Sequence, residues 1–321
     1  MKKDFLTKAE VLNEIYAEVD SIEAYLDKPI MGAYPKHVPK SLLAKGYYFE
    51  DSDDIIFASY NLLFDRVSLN NKIDFGMDVG QFYIQEEEKK RINGWKYGVS
   101  LYYKHFILRL GENHYDTFSE FVPGLSYVDT YKNHSYEVEF ISQNALFYTY
   151  RPKVLDKKIK ANHYSFSDYV TFRNKTSVWM SLEINDYSND DKEVTAQYDW
   201  RFFYHRVENS KFSYDLALEG WYTSHTKTTD LFYSPSFADS TLIRFDPEYK
   251  FSNYLGVKGI FGIGYSFRDE TTPYKYGMKF FANPTDDILY ELGCLYNNSI
   301  RALNTTSYNY LECDFSLGYS W

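Results

Sequence analysis

The last eleven residues of the chain alternate strictly between apolar and polar side chains. The odd positions from Leu311 to Trp321 carry leucine, cysteine or an aromatic residue, whereas the even positions carry an acid, a serine or a glycine. Successive side chains of a β-strand point to opposite faces, so this period of two predicts a strand with one apolar and one polar face. A soluble sheet has no evident reason to end a chain in this way, and the pattern therefore restricts the folds open to the protein.

The amino-acid composition suits a membrane barrel. Aromatic residues make up 20% of the 321 residues, with 34 tyrosines and 25 phenylalanines. Tyrosine combines an apolar ring with a polar hydroxyl and fits the boundary between membrane and water. No stretch contains the roughly 20 consecutive apolar residues of a transmembrane helix. The mean hydropathy of −0.50 still allows a barrel, because lipid-facing and lumen-facing residues alternate and cancel in the average.

Charge and cysteine content narrow the choice of partners and cofactors. The formal net charge of −10 argues against nucleic acid, which requires a basic surface. Cys294 and Cys313 have no metal-binding spacing, and both occupy apolar positions in the last two expected strands. They are either two small lipid-facing residues or a disulfide between neighbouring strands.

The first 45 residues are predicted to precede the barrel. Apolar residues recur at three- and four-residue steps over residues 5–27, which predicts an amphipathic helix that ends at Pro29. A proline-containing linker follows to residue 45. The basic start at Met1 lacks the apolar region of a signal peptide, so we expect a fragment that begins after a lost signal, and by one interpretation after a lost domain.

Residues 46–321 are predicted to form a transmembrane antiparallel β-barrel of about 16 strands. The runs are about ten residues long, as membrane-spanning strands require, whereas the strands of a soluble sandwich are usually shorter. The clearest alternating runs are 73–79, 95–103, 136–140, 146–150, 164–172, 178–184, 198–204, 214–222, 245–251, 257–267, 274–280, 288–296 and 311–321, with weaker runs at 55–64, 105–111 and 117–131.

The residues that alternate with the apolar ones along each strand should face the lumen. They supply the candidate pore-lining residues. The charged candidates either pair across strands or form a mildly acidic path that favours neutral or cationic cargo. The aromatic candidates either stack against sugar rings or pack against an inward-folded loop or the N-terminal helix. The candidates are Tyr102, Trp179, Glu183, Asp199, Arg201, Phe203, Asp215, Glu219 and Trp221.

The sequence contains only weak matches to catalytic and metal-binding motifs. We therefore predict no catalytic residue, no metal site, no cofactor and no enzymatic activity. His163, Ser165 and Asp168 lie close in sequence, but a strand places Ser165 and Asp168 on opposite faces. The cluster from Asp51 to Asp54 lacks the glycine turn and the distant glutamate of a calcium-binding loop, and it is interpreted as a polar turn.

The layout resembles a known family. An N-terminal helix, a linker, the aromatic and acidic stretch from Tyr47 to Asp54, Arg151-Pro152 after a strand and about 16 strands are similar to the C-terminal barrel of bacterial exopolysaccharide export proteins. Those proteins couple periplasmic tetratricopeptide repeats to a 16-stranded pore. The final strand also resembles that of other outer-membrane barrels, and this resemblance makes Phe315, Leu317, Tyr319 and Trp321 the candidate signal for the barrel assembly machinery.

The resemblance implies an outer-membrane porin that acts as a passive conduit for an exopolysaccharide. Its implied partners are outer-membrane lipid, the assembly machinery, a polysaccharide and a periplasmic helical-repeat domain. The alternative is a general or small-solute diffusion porin, which usually carries a long constriction loop. The longest weakly patterned stretches, 185–193, 224–240 and 297–307, are modest candidates for such a loop. A barrel enzyme is a third, weaker alternative.

Overall fold

The alternating pattern folds as a sheet that closes on itself. In a computed structural model, the chain is described over residues 41–69, 73–86, 90–172, 176–188, 193–227, 237–252, 254–268, 270–285, 288–300 and 307–320. These residues belong to one compact unit, Lys40–Trp321. They form sixteen β-strands and two short helices, α1 (Leu146–Thr149) and α2 (Pro152–Asp156), both between β7 and β8. Neither of these helices is long or apolar enough to cross a membrane.

The strands are 10 to 16 residues long, as a tilted strand needs to cross a bilayer. In chain order they are β1 (Ser41–Asp51), β2 (Ile55–Ser68), β3 (Ile73–Glu86), β4 (Lys90–Tyr103), β5 (Phe106–Tyr115), β6 (Ser119–Tyr131), β7 (His134–Asn144), β8 (Lys160–Phe172), β9 (Thr176–Tyr187), β10 (Val194–Val207), β11 (Phe212–His225), β12 (Phe237–Ser252), β13 (Leu255–Tyr265), β14 (Tyr274–Thr285), β15 (Ile288–Ile300) and β16 (Ser307–Ser320).

The barrel is closed and fully antiparallel. Each strand pairs with its neighbours in the chain, and β1 also pairs with β16, from Ser41 opposite Ser320 to Asp51 opposite Tyr310. Closure pairs both edges of every strand with a neighbouring strand, as a hydrocarbon environment requires. The predicted fold of about 16 antiparallel strands is confirmed.

The outer face of the barrel is apolar. On β9 and β10, Leu182, Ile184, Tyr198 and Phe202 are exposed, while the residues between them are buried or half-buried. Large apolar side chains are exposed on the same parity of the other strands. A continuous apolar exterior on a closed barrel belongs in lipid. The predicted location, the bacterial outer membrane, follows from this surface.

The two ends of the barrel differ in the length of their connections. The end that carries Ser41 and Ser320 has short turns, such as 104–105 and 132–133, whereas the opposite end has longer connections, such as 145–159 and 226–236. In outer-membrane barrels the short turns are periplasmic and the long loops are extracellular. The chain therefore enters and leaves the barrel on the periplasmic side.

One predicted strand is wrong. The run 146–150 was expected to be a strand, but Leu146–Thr149 is α1, and Tyr150 ends it in the left-handed conformation with φ of 52°. Leu146 and Phe147 are both buried although they are consecutive, which a two-faced strand does not allow. Three alternating apolar residues fit one turn of a buried helix as well as a strand.

The first strand was missed. β1 begins at Ser41, within the range assigned from the sequence to the linker, and the polar turn at 52–54 therefore connects β1 with β2. Tyr47, Tyr48 and Phe49 are consecutive aromatic residues, so the strand shows no alternation. On its inner face Phe49 is buried against Tyr150 of the inward-folded segment, residues 145–159, with ring centroids 5.1 Å apart.

The terminal hairpin contains a disulfide. Cys294 and Cys313 lie directly opposite each other on β15 and β16 and form the bond Cys294–Cys313. Of the candidate assembly signal, Phe315, Leu317 and Tyr319 are exposed on the outer face, and Trp321 lies outside the described residues. The predicted helix over residues 5–27 also lies outside them.

Candidate functional site

The candidate pore-lining residues lie on the parity opposite to the exposed apolar residues. Among these candidates, Tyr102 is the one on β4, and its side chain is buried. The other candidates occupy three neighbouring strands, where the sheet register decides which of them meet. They are Trp179 and Glu183 on β9, Asp199, Arg201 and Phe203 on β10, and Asp215, Glu219 and Trp221 on β11.

Arg201 is the centre of this group. It lies directly opposite Trp179 on one side and Glu219 on the other. Its guanidinium carbon is 5.9 Å from the ring centroid of Trp179 and 5.6 Å from that of Phe203. A cation placed against two aromatic rings is held by their negative faces, and this effect grows when water is excluded. The register thus brings Trp179, Phe203 and Glu219 into contact with Arg201.

The Glu219 carboxylate contacts cationic side chains from three strands. Its carboxylate lies 2.7 Å from Arg201 Nε, 2.9 Å from Arg244 Nη1 and 2.7 Å from Lys275 Nζ. Arg244 also donates to both carboxylate oxygens of Asp246, at 3.1 and 2.7 Å. All five side chains are buried. We name them the Glu219 cluster, and its charged groups hold one another in place because none can be left alone at this depth without a large desolvation cost.

A smaller ion-pair group adjoins the Glu219 cluster on the same wall. Asp215 accepts from Lys258 Nζ at 2.7 Å, and its other oxygen is 2.6 Å from His205 Nδ1. Asp215 lies opposite Asp246 in the sheet, which joins the two groups along the wall. Charges on this wall are therefore paired across strands, one of the two alternatives that the sequence left open.

An acidic and hydroxyl-rich surface covers β7 to β10. One row runs Glu139, Ser165, Glu183 and Gln197, and the next runs Glu137, Ser167, Ser181 and Asp199, each residue directly opposite the next. Trp221 lies opposite Asp199 and continues the second row on β11. We call these residues the acidic strip. Glu139 pairs with Arg109 and Ser126, and Asp199 accepts from Gln197 Nε2 at 2.8 Å, so the carboxylates and hydroxyls of these rows form a hydrogen-bonded polar wall.

The segment 145–159 folds onto the opposite wall and narrows the space in front of it. Phe147 lies 5.2 Å from Phe82 on β3 and 6.4 Å from Tyr115 on β5, measured between ring centroids. Arg151 Nη2 donates to Asp53 Oδ2 at 2.6 Å and lies 3.7 Å from Asp51 Oδ2. Val154, Leu155 and Ile159 are buried as well. The sequence pattern did not predict this segment as a loop, although Arg151-Pro152 lies at its middle.

The start of this segment is also tied to β7 and β8. The rings of Tyr148 and His163 stack with centroids 4.9 Å apart, and Gln143 Nε2 donates to the Tyr148 hydroxyl at 3.0 Å. Burial raises the pKa of the Tyr148 phenol well above its ordinary value. These contacts fix the segment from two sides, so it is a built part of the barrel interior.

The histidine and acid groups considered for catalysis are kept apart. His163 Nδ1 lies 2.8 Å from Asn185 Oδ1, whereas Asp168 Oδ2 lies 2.9 Å from His134 Nδ1. Asp51 Oδ1 accepts from the backbone N–H groups of Asp53 and Ile55, which is the polar turn expected there. Within the described ranges, no three His, Cys, Asp or Glu side chains converge in a geometry that could hold a metal ion.

Comparisons with known proteins concern the fold. The sequence matches no family model and no curated protein sequence. The structure is similar to a bacterial polysaccharide outer membrane secretin, with a TM-score of 0.70 and 12% identity over 89% of this chain and 99% of that chain. It is also similar to CdiB from Acinetobacter baumannii, with a TM-score of 0.51 and 9% identity over 88% of this chain and 60% of that chain. At these identities, the similarity supports the barrel architecture described above.

Proposed function

We propose that the chain is a channel of the outer membrane. A barrel of about 16 strands is wide enough to enclose an aqueous path, whereas about eight strands are filled by side chains alone. The inner wall is polar and charged along β7 to β14. Porin-like transport is the role that this combination of an apolar exterior and a polar interior supports best.

We further propose that the cargo is an exopolysaccharide and that its passage is passive. The acidic strip carries this proposal, because it places carboxylates and hydroxyls next to the indole of Trp221, with Trp179 one row away. Sugar hydroxyls can donate to the carboxylates while sugar rings slide over the aromatic faces. The fold similarity to a bacterial polysaccharide outer membrane secretin agrees with this proposal.

The same proposal extends to the partners. Lipid surrounds the apolar exterior, the assembly machinery binds the terminal strand at Phe315, Leu317 and Tyr319, and a helical-repeat domain on the periplasmic side receives the polymer. Exposure of the three side chains on one face makes them available for recognition during assembly.

A diffusion porin for small solutes is the second candidate. The inward-folded segment 145–159 favours it, because constriction loops of this kind limit the size of solutes that pass. Its contacts with β1, β3 and β5 hold it firmly against the wall. A fixed constriction slows a long polymer more than it slows a small solute, so the two candidates predict different behaviour in the same measurement.

The test is single-channel recording of the purified chain in a planar phospholipid bilayer. Hexamers of glucose and of glucosamine, one neutral and one cationic, should block the current reversibly, and a hexamer of galacturonic acid should block it less. Replacing both tryptophans (W179A/W221A) should shorten the blocks by roughly two- to tenfold for each ring removed. Trp95→Ala is the matched control, because Trp95 is exposed on the outer face.

The outcomes separate the candidates. Blocks that shorten in W179A/W221A but not in W95A support polysaccharide passage. Conductance without any block by the three hexamers, together with rapid permeation of single sugars, supports the diffusion porin instead. A chain that inserts and conducts no ions is not a channel.

A further inference from the structure

The lipid-facing surface contains a groove over β5 to β9. It has a volume of about 330 Å³ and an almost wholly apolar lining. The row along its periplasmic side runs Phe106, Tyr127, Val138, Phe166 and Leu182, each residue directly opposite the next. A recess of this size falls within the roughly 300–1,000 Å³ of small-molecule sites. On a barrel exterior its contents come from the surrounding bilayer.

A polar cluster adjoins this groove on the same outward face. Asp129 Oδ2 accepts from the hydroxyls of Tyr127 and Tyr136, at 3.0 and 3.1 Å, and Asp129 Oδ1 lies 3.2 Å from His105 Nδ1. Asp168, in the same row beyond Tyr136, lies 2.9 Å from His134. The rings of His105 and Tyr127 are 5.8 Å apart, so the polar cluster directly contacts the groove.

This polar cluster contrasts with three other strands at the same rim. At the periplasmic ends of β12, β15 and β16 the outward positions are the exposed aromatic residues Tyr249, Tyr290 and Tyr319. A carboxylate on the lipid face is costly unless something polar meets it. Both carboxylates have partners within the protein, and together they place two negative charges at the edge of a groove that lipid covers. Asp168 Oδ1 accepts no hydrogen bond from the described residues, but it is buried beneath its neighbours, so Asp168 contributes charge to this surface and not an exposed acceptor.

Two lysines complete the charge pattern. Lys132 lies in the β6–β7 turn, between the two aspartates along the rim. Lys104 lies in the β4–β5 turn, on the far side of Asp129. Their ammonium groups lie 5.4 and 5.0 Å from the ring centroids of Tyr103 and Tyr131, respectively. The rim therefore presents two cations and two carboxylates, which suits a headgroup with one phosphate and one primary ammonium better than a headgroup with net negative charge.

We propose that this surface is a binding site for one phospholipid of the phosphatidylethanolamine class from the periplasmic leaflet. An acyl chain lies in the groove from Phe106 to Leu182. The phosphate is bound by Lys132, Lys104 adds positive charge from the β4–β5 turn, and the ammonium donates to Asp129 while Asp168 adds negative charge next to it. Because lipid tails are as apolar as the groove, the preference for this lipid comes from the headgroup contacts, and the groove contributes shape.

The test is native mass spectrometry of the full chain in detergent, titrated separately with dioleoyl phosphatidylethanolamine, phosphatidylglycerol and phosphatidylcholine. We expect one retained phosphatidylethanolamine per barrel, with an affinity at least tenfold above that for phosphatidylcholine, because a primary ammonium can donate charge-assisted hydrogen bonds to a carboxylate and a quaternary ammonium cannot. D129N/D168N should reduce phosphatidylethanolamine to the level of phosphatidylcholine. K104A/K132A should weaken all three lipids, by roughly 30-fold for phosphatidylglycerol.

A matched pair of variants tests the groove. Val138→Trp fills its centre and should abolish retention, whereas Ile243→Trp adds the same ring on β12, where Ile243 is also exposed on the outer face, and should retain the lipid. The lysine variants alter only exposed turn residues, so they decide the outcome even if D129N/D168N fails to assemble. The proposal would be overturned if V138W and I243W changed lipid retention equally, or if phosphatidylglycerol bound more tightly than phosphatidylethanolamine. It would also be overturned if the chain formed a dimer that V138W dissociates.

Discussion

Glu219→Gln should destabilise the barrel because it removes the negative charge that three buried cations share. The side chain keeps its size, but Arg201, Arg244 and Lys275 lose a carboxylate that lies 2.7 to 2.9 Å from each of them. Removing one partner of a buried ion pair costs about 3–5 kcal/mol, since the remaining charge stays desolvated. We expect a loss in this range in the free energy of unfolding.

Glu208→Gln is the matched control. Glu208 also lies 2.7 Å from an arginine, Arg206, but these side chains are 37% and 51% exposed. Exposed ion pairs contribute about 0–1 kcal/mol, because water solvates both partners in the absence of the pair. The two substitutions thus compare the same chemistry and the same distance at different burial.

The assay is reversible urea unfolding in phospholipid vesicles, followed by tryptophan fluorescence. E219Q should lower the free energy of unfolding by about 3–5 kcal/mol and E208Q by less than about 1 kcal/mol. If both variants unfold within 1 kcal/mol of the unmodified chain, the Glu219 cluster is solvated in the membrane, and the reasoning from burial is refuted.

Arg151→Ala should release the inward-folded segment from the β1–β2 turn and raise single-channel conductance, and unchanged conductance would show that its aromatic contacts suffice. C294S/C313S should lower stability by about 3 kcal/mol, the loop-closure entropy for a separation of 19 residues, measured by urea unfolding without reductant. Gly220→Ala should cost about 1–3 kcal/mol, because its Cβ would lie 2.4 Å from the Trp200 indole; a melting temperature equal to that of the unmodified chain would contradict this contact.

Alternation determined the fold class because it reports the two faces of each strand directly. The alternating pattern did not predict a strand where one strand face packs against another part of the protein instead of lipid or water. β1 was missed because the inward-folded segment covers its inner face, which made Tyr47 and Phe49 as apolar as their neighbours. The run 146–150 was mistaken for a strand because three apolar residues cannot distinguish the two periods. These two errors cancelled in the strand count of 16.

The sequence by itself determined which side of the wall each candidate residue occupies. Parity placed Trp179, Arg201 and Glu219 on the same face as one another, because a strand has only two faces. Only the tertiary structure decided that they touch, since contact depends on the register between strands. Arg244 reaches Glu219 from the next strand, β12, and Lys275 reaches it from β14. A shift of two residues would preserve every parity and separate these charges, so local patterning carries no information about the cluster.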